Sequence, residues 1–158
     1  MIAEYEGEHS DLLNAPRMYG LSQAHKHLPE MKIISGLNKE PVFCPIVAPF
    51  YSGMEVTVTL DSSMTGAKKA EIEDIYAQYY TDGLVHFEAD ADENGFVSAA
   101  AFSGRDDMQI SVFGNDERIL LVSRFDNLGK GASGAAIQNM NLVLGCEETK
   151  GLVTSSDS

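Results

Sequence analysis

The clearest order in the chain begins at Gly53, where Met54, Val56, Val58 and Leu60 alternate with Glu55, Thr57 and Thr59. A two-residue period predicts a half-buried antiparallel strand. Asp61 to Gly66 interrupts it, and Thr65 then stands where it can cap a helix with Ile72, Ile75, Tyr76 and Tyr79 at the i, i+3, i+4, i+7 positions. That helix is expected to lie on a sheet. Leu84 to Ala89 and Phe96 to Phe102 read as short strands about an acidic turn, Asp90 to Gly95, whose Asn94-Gly95 favours positive φ. Met108 to Phe113 and Ile119 to Phe125 predict a further pair, joined through Gly114-Asn115-Asp116-Glu117. These elements predict an α+β fold with a four- or five-stranded, largely antiparallel sheet.

The front of the chain is less regular. Met1 to about Arg17 shows no sustained period and reads as extended or loop, whereas Pro29 suits the first turn of a short helix through Ser35, with Gly36 as its stop. Pro41 to Pro49 is apolar but broken by three prolines, which restricts it to an edge strand or irregular segment. At the other end a helix is predicted over Lys130 to Leu144, closed by Gly145. Its start, Gly131-Ala132-Ser133-Gly134-Ala135-Ala136, has almost no side-chain bulk, so something is expected to approach it closely. Residues 152–158 have the composition of a frayed, disordered tail, which leaves 1–151 as one domain.

Composition narrows the classes. The 158 residues carry 24 acidic against 11 basic side chains, a formal charge of −13, and no run of Lys or Arg, which argues against phosphate-backbone binding and hence nucleic acid. No apolar stretch reaches a membrane span and the first residues lack a signal-peptide pattern, so a cytoplasmic protein is expected. Cys44 and Cys146 are far apart and lack CxxC spacing, which suits two inert thiols in a reducing compartment rather than a disulfide or zinc site.

Two constellations can carry chemistry. His25-Lys26-His27 would put both imidazoles on one side of an extended segment, a shared polar site, with Glu30 beyond them in a first helical turn. Two ligands fall short of a metal site's usual three or four, so no metal is expected, and a solvated surface pair remains the plain alternative. Asp126-Asn127-Leu128-Gly129-Lys130-Gly131-Ala132-Ser133-Gly134 places a strand end, a Gly-rich turn and a helix start together. It can meet a cofactor or serve close packing.

His25-Lys26-His27-Leu28-Pro29-Glu30, Pro45 to Pro49, Gly53 to Val58, Asp126 to Asn141 and Gly145 to Leu152 together resemble the carboxy-terminal half of N-acetyl-gamma-glutamyl-phosphate reductases. The resemblance implies a fold like the catalytic domain of glyceraldehyde-3-phosphate and aspartate-semialdehyde dehydrogenases: a mixed, largely antiparallel sheet, helices on one face and a homo-oligomeric partner on the other. It also implies NADPH-dependent reduction of N-acetylglutamyl phosphate to N-acetylglutamate semialdehyde, in arginine biosynthesis, through a cysteine thioester. By the same resemblance the cysteine and the NADP-binding Rossmann domain precede the region matching Met1, so this chain alone is expected to be inactive. His27, with His25, is implied as the acid/base pair, Tyr19 and Glu30 as substrate-side residues, and Asn127, Gly131 and Ala132 as neighbours of the nicotinamide. The competing expectation is a stand-alone binding or scaffold module that has the fold and no catalysis.

Overall fold

The computed structural model describes residue 6 and residues 10–154. The chain divides into two compact units, residues 1–50 and 51–158.

The first unit is built from short pieces. A 3-10 turn spans Asp11–Asn14, with the Ser10 hydroxyl accepting from the Leu12 N–H, in a stretch read as loop; residues 1–5 and 7–9 of that stretch lie outside the described residues. Strand β1 (Arg17–Met18) pairs antiparallel with β2 (Ile46–Val47), so the proline-broken segment contributes two residues of strand and no more. Helix α1 (His27–Ile34) lies where Pro29 predicted it. Pro29 is the third helical residue, a position whose N–H has no partner within a helix. Leu28, at 2% exposure, is the buried anchor of this helix.

The second unit holds a four-stranded sheet in the order β3 (Met54–Asp61), β6 (Arg118–Phe125), β5 (Met108–Gly114), β4 (Val85–Phe87). β3, β6 and β5 run antiparallel and β4 joins β5 in parallel, which gives the mixed, largely antiparallel α+β architecture. The β5–β6 connection closes where Asn115 Oδ1 accepts the Glu117 and Arg118 N–H groups. Helix α2 (Ser62–Thr65) is capped by Asp61, and helix α3 (Lys69–Tyr79) starts where Glu71 Oε2 accepts the Lys68 N–H at 2.7 Å. Thr65 therefore ends a short helix and does not cap α3; its hydroxyl accepts from Ala67 in the connection instead. α3 packs Ile72 on Val112 and Ile119, with Leu60, Tyr76, Phe87 and Leu121 around them. Burying each such aliphatic side chain contributes about 2 kcal/mol. Ile75 and Tyr79 point outward, so only half of the predicted stripe is used.

Three expectations change. Phe96–Phe102 is not a strand: Ser98 caps a 3-10 turn over Ala99–Phe102, and Phe102 is buried against the guanidinium groups of Arg105 and Arg124. The Asn94-Gly95 turn does form, with both residues at positive φ, but it closes a single bridge between Glu93 and Phe96. β3 is the predicted strand, yet its apolar face is not half-buried, because Met54, Val56 and Val58 are 40%, 42% and 49% exposed. α3 covers only the Leu60 end of that face. Lastly, Leu152 is buried and Val153 exchanges hydrogen bonds with Asp106, so residues 152–154 dock where a frayed tail was expected. Residues 155–158 lie outside the described residues.

Candidate functional site

In the first unit the chain turns at Gly20 (φ +66) and Gln23 (φ +53), and Lys26 continues in the right-handed helical region into α1. His25 thus precedes the helix and His27 opens it. The pair is brought together by a turn, not by the extended segment the spacing suggested. Their ring centroids are 5.0 Å apart, and the His27 N–H donates to His25 Nδ1 at 3.3 Å. His27 Nδ1 lies 3.1 Å from Glu30 Oε2, one helical turn on. Both side chains of that ion pair are about half exposed or more, so it contributes little to stability and acts by orienting the ring. The Tyr19 ring stands edge-on to His25 at 6.0 Å, and Phe43 packs on His25 at 5.1 Å.

An imidazole whose Nδ1 faces a carboxylate presents Nε2 as its free nitrogen, which is the arrangement of an oriented general base. Tyr19, His25, His27 and Glu30 therefore form one cluster. Among the described residues no group of three or more His, Cys, Asp or Glu side chains is placed to hold a metal ion.

In the second unit the Gly-rich turn follows β6 directly. Asp126, 2% exposed, accepts from the Ser52 hydroxyl at 2.8 Å and from the N–H groups of Gly104, Leu128 and Gly129 at 2.5, 2.6 and 3.1 Å. Burial alone would raise its carboxyl, but these donors outweigh burial and hold it below the ordinary carboxylate range. Residues Gly129–Ser133 form one π-helical turn, and helix α4 (Gly134–Leu144) continues from it to Gly145, which is left-handed. What crowds this start is the chain itself: a Cβ on Gly129 would collide with the Arg105 carbonyl, and one on Gly134 with the Asp106 carboxylate. Gly131 and Ala132 are exposed, and a Cβ on Gly131 would meet the Phe125 ring at 3.2 Å. Asn127 is half-buried, its Oδ1 taking the Gly53 N–H at 2.8 Å. Lys130, lowered by burial against the opposing charges of Glu148, Asp106 and Asp107, donates to Gln138, which in turn donates to Glu148.

Residues 3–127 match the family described as semialdehyde dehydrogenase, dimerisation domain. The chain belongs to this family. Over 170 aligned residues it is 40% identical to N-acetyl-gamma-glutamyl-phosphate reductase 2 of Nostoc sp., covering 96% of this chain and 52% of that protein. It is 40% identical over 151 residues to the N-acetyl-gamma-glutamyl-phosphate reductase of Sinorhizobium fredii, covering 91% and 49%, and 36% identical over 140 residues to that of Burkholderia lata, covering 84% and 44%. The chain spans about half the length of the curated relatives it matches.

Within this dimerisation domain, sequence reasoning singled out both histidines, Tyr19 and Glu30, and missed Gln23 and Phe43, which complete their surroundings. Neither carries a signal, since a glutamine and a phenylalanine twenty residues apart fit any loop. Asp126 had one: an aspartate at a strand end ahead of Asn-Leu-Gly is the pattern of a side chain that caps its own turn. Cys44 is exposed and Cys146 is half-buried.

Proposed function

We propose that this domain is the carboxy-terminal, catalytic and dimerisation part of an N-acetyl-gamma-glutamyl-phosphate reductase, with His27 as its acid/base group. The observation that carries the reading is the His27 Nδ1 to Glu30 contact at 3.1 Å beside His25, in a chain about 40% identical to such reductases over nearly its whole length. That extent of likeness to enzymes also disfavours the scaffold alternative.

In this reading Nε2 of His27 takes the proton of a cysteine thiol supplied by chain outside residues 1–158. The thiolate forms a C–S bond to the acyl carbon, and the C–O bond to phosphate breaks, the phosphate leaving with that electron pair. His27, now protonated and balanced by Glu30, stabilises the departing anion, and Tyr19 offers a hydroxyl at the edge of the same cluster. Exposed Gly131 and Ala132 leave a surface without side-chain bulk beside Asn127, which fits the flat edge of a nicotinamide. Asn127, Gly131 and Ala132 would lie against that ring, and NADPH, when bound, supplies hydride for the thioester. Only part of the glycine crowding supports cofactor contact, because Gly129 and Gly134 are explained by the 105–106 backbone and side chain.

In this reading a second copy of the domain covers the open sheet face; the exposure of Met54, Val56 and Val58 and the family's description support it. The test is NADP-dependent oxidation of N-acetylglutamate semialdehyde with phosphate, run on this chain alone and with the cysteine-bearing half of a reductase supplied in trans. Activity only in the mixture, lost with His27→Ala, is the expected result. Activity in the chain alone, or an active mixture indifferent to His27→Ala, defeats the reading.

A further inference from the structure

Gln23 is a surface residue with an unusually fixed side chain. Its Nε2 donates to the Phe43 carbonyl at 2.7 Å and its Oε1 accepts the Phe43 N–H at 2.9 Å, so one amide satisfies both backbone groups of Phe43 as a neighbouring strand would. The residue also sits in the left-handed region, φ +53, which side chains other than glycine rarely adopt. Backbone strain of this kind persists where the surroundings enforce it and points to a task. The Gln23 N–H closes on the Gly20 carbonyl at 3.0 Å, which ties that strain into the turn leading to His25.

What the clamp holds is the wall of the histidine cluster. Phe43 lies 5.1 Å from the His25 ring and Tyr19 meets it edge-on, which limits rotation of the imidazole about its last torsion. In the observed orientation Nδ1 receives the His27 N–H, so Nδ1 bears a lone pair and the proton of the neutral ring is on Nε2. His27 is the opposite case, because Nδ1 faces the Glu30 carboxylate, carries the proton, and leaves Nε2 as acceptor. A ring flip at His25 would turn a carbon towards the His27 N–H and erase the distinction.

We propose that Gln23 is a positioning residue: by clamping Phe43 against His25 it fixes His25 as a hydrogen-bond donor through Nε2, for an anionic oxygen of the substrate, beside His27 as proton acceptor through Nε2. The donor role rests on the reductase reading above; the fixed pair of tautomers does not.

The test is imidazole nitrogen NMR on the isotopically labelled full chain at about pH 8, where ordinary histidines are neutral. The expected spectrum shows His25 protonated at Nε2 only and His27 at Nδ1 only. Gln23→Gly tolerates the left-handed backbone and removes the amide, so a merely conformational role for residue 23 would be preserved. The expected result is that His25 loses the ring-current shift from Phe43 and becomes a mixture of tautomers, while His27 keeps its pattern. If Gln23→Gly fails to fold, Phe43→Leu keeps the clamp, removes the aromatic wall, and is expected to give the same mixing. In a reductase assembled with this chain, Gln23→Gly is expected to lower kcat about tenfold with KM within about twofold. A His25 protonated at Nδ1 in the unmodified chain, or one whose tautomer ignores both substitutions, overturns the proposal. The fixed pattern in this chain, together with no activity from a mixture whose two halves are shown to bind each other, would sink the reductase reading and support the clamp; a lost pattern in a chain that is active in the mixture would sink the clamp alone.

Discussion

The imidazole of His27 and the carboxylate of Asp126 are each held by hydrogen bonds, in opposite surroundings. His27 is about half exposed and relies on one exposed carboxylate, a neighbouring ring and a helix of eight residues. Asp126 is buried under four donors, three of them backbone N–H groups, at the end of an eight-residue strand paired on both sides. A group that trades protons with substrate, the role proposed for His27, needs an open nitrogen and gains little from burial. A group that shapes a turn gains from being dry, because its hydrogen bonds then face no competition from water. The first kind of site is cheap to disturb without unfolding, and the second is part of the fold.

Removing each in turn sharpens that contrast. Asp126→Ala orphans the Gly104, Leu128 and Gly129 N–H groups together, and is expected to cost roughly 4 kcal/mol in urea unfolding. His27→Ala is expected to move the same transition by less than about 0.5 kcal/mol, yet to lower turnover of a reductase containing this domain about 100-fold. A large loss of stability at His27, or a small one at Asp126, breaks the comparison.

Acid tests the buried carboxylates of the second unit. The folded-state pKa of Asp126 is depressed, and so is that of Asp107, where burial is outweighed by the paired Arg105 guanidinium at 2.5 and 2.8 Å and by His86. A depressed carboxylate contributes stability that is present above its unfolded value, near 4, and is lost as the pH falls through the folded value. Urea midpoints are therefore expected to be level from about pH 7 to 5 and to fall below about 4. In Asp126→Asn that acid limb should be shallower. An equal limb in the variant would mean that other carboxylates set it.

The sheet was legible in the chain because β3, β5 and β6 are local patterns: alternation along Met54 to Leu60, and two apolar runs either side of Gly114 to Glu117. Helix α1 was legible from Pro29 and Gly36, and the histidine cluster from the resemblance, whereas the spacing of His25 and His27 suggested an extended segment in place of the turn that joins them. The misses are long-range. Phe96–Phe102 has the apolar content of a strand, but Phe102 is drawn under two arginines whose positions are set by β6 and by Asp107. The face of β3 at Met54, Val56 and Val58 is exposed although its alternation predicts cover, because alternation records where the apolar positions lie and not what packs on them. The crowding at the start of α4 was anticipated, but its source, Arg105 and Asp106, is more than twenty residues back in the chain.

That last point yields the finest discrimination, between three glycines of one turn. At Gly134 an added methyl would overlap Oδ1 of the Asp106 carboxylate, whose Oδ2 accepts the Val153 N–H at 3.0 Å while the Asp106 N–H donates to the Val153 carbonyl, so the side chain cannot swing aside without loosening the terminal segment. Gly134→Ala is expected to cost about 3 kcal/mol, and Gly129→Ala, against the rigid Arg105 carbonyl, a similar amount. At Gly131 the nearest atoms are a Phe125 ring carbon at 3.2 Å and the Asp126 carbonyl oxygen at 3.3 Å, contacts that a shift of a few tenths of an ångström relieves, the ring standing at the end of β6. Gly131→Ala is therefore expected to change stability by less than about 1 kcal/mol, and its effect should fall instead on cofactor affinity, raising KM for NADPH in the assembled reductase at nearly constant kcat. Should Gly131→Ala leave KM untouched, the bare surface at Gly131 and Ala132 would be a packing feature like its two neighbours, and the cofactor would have to be sought elsewhere.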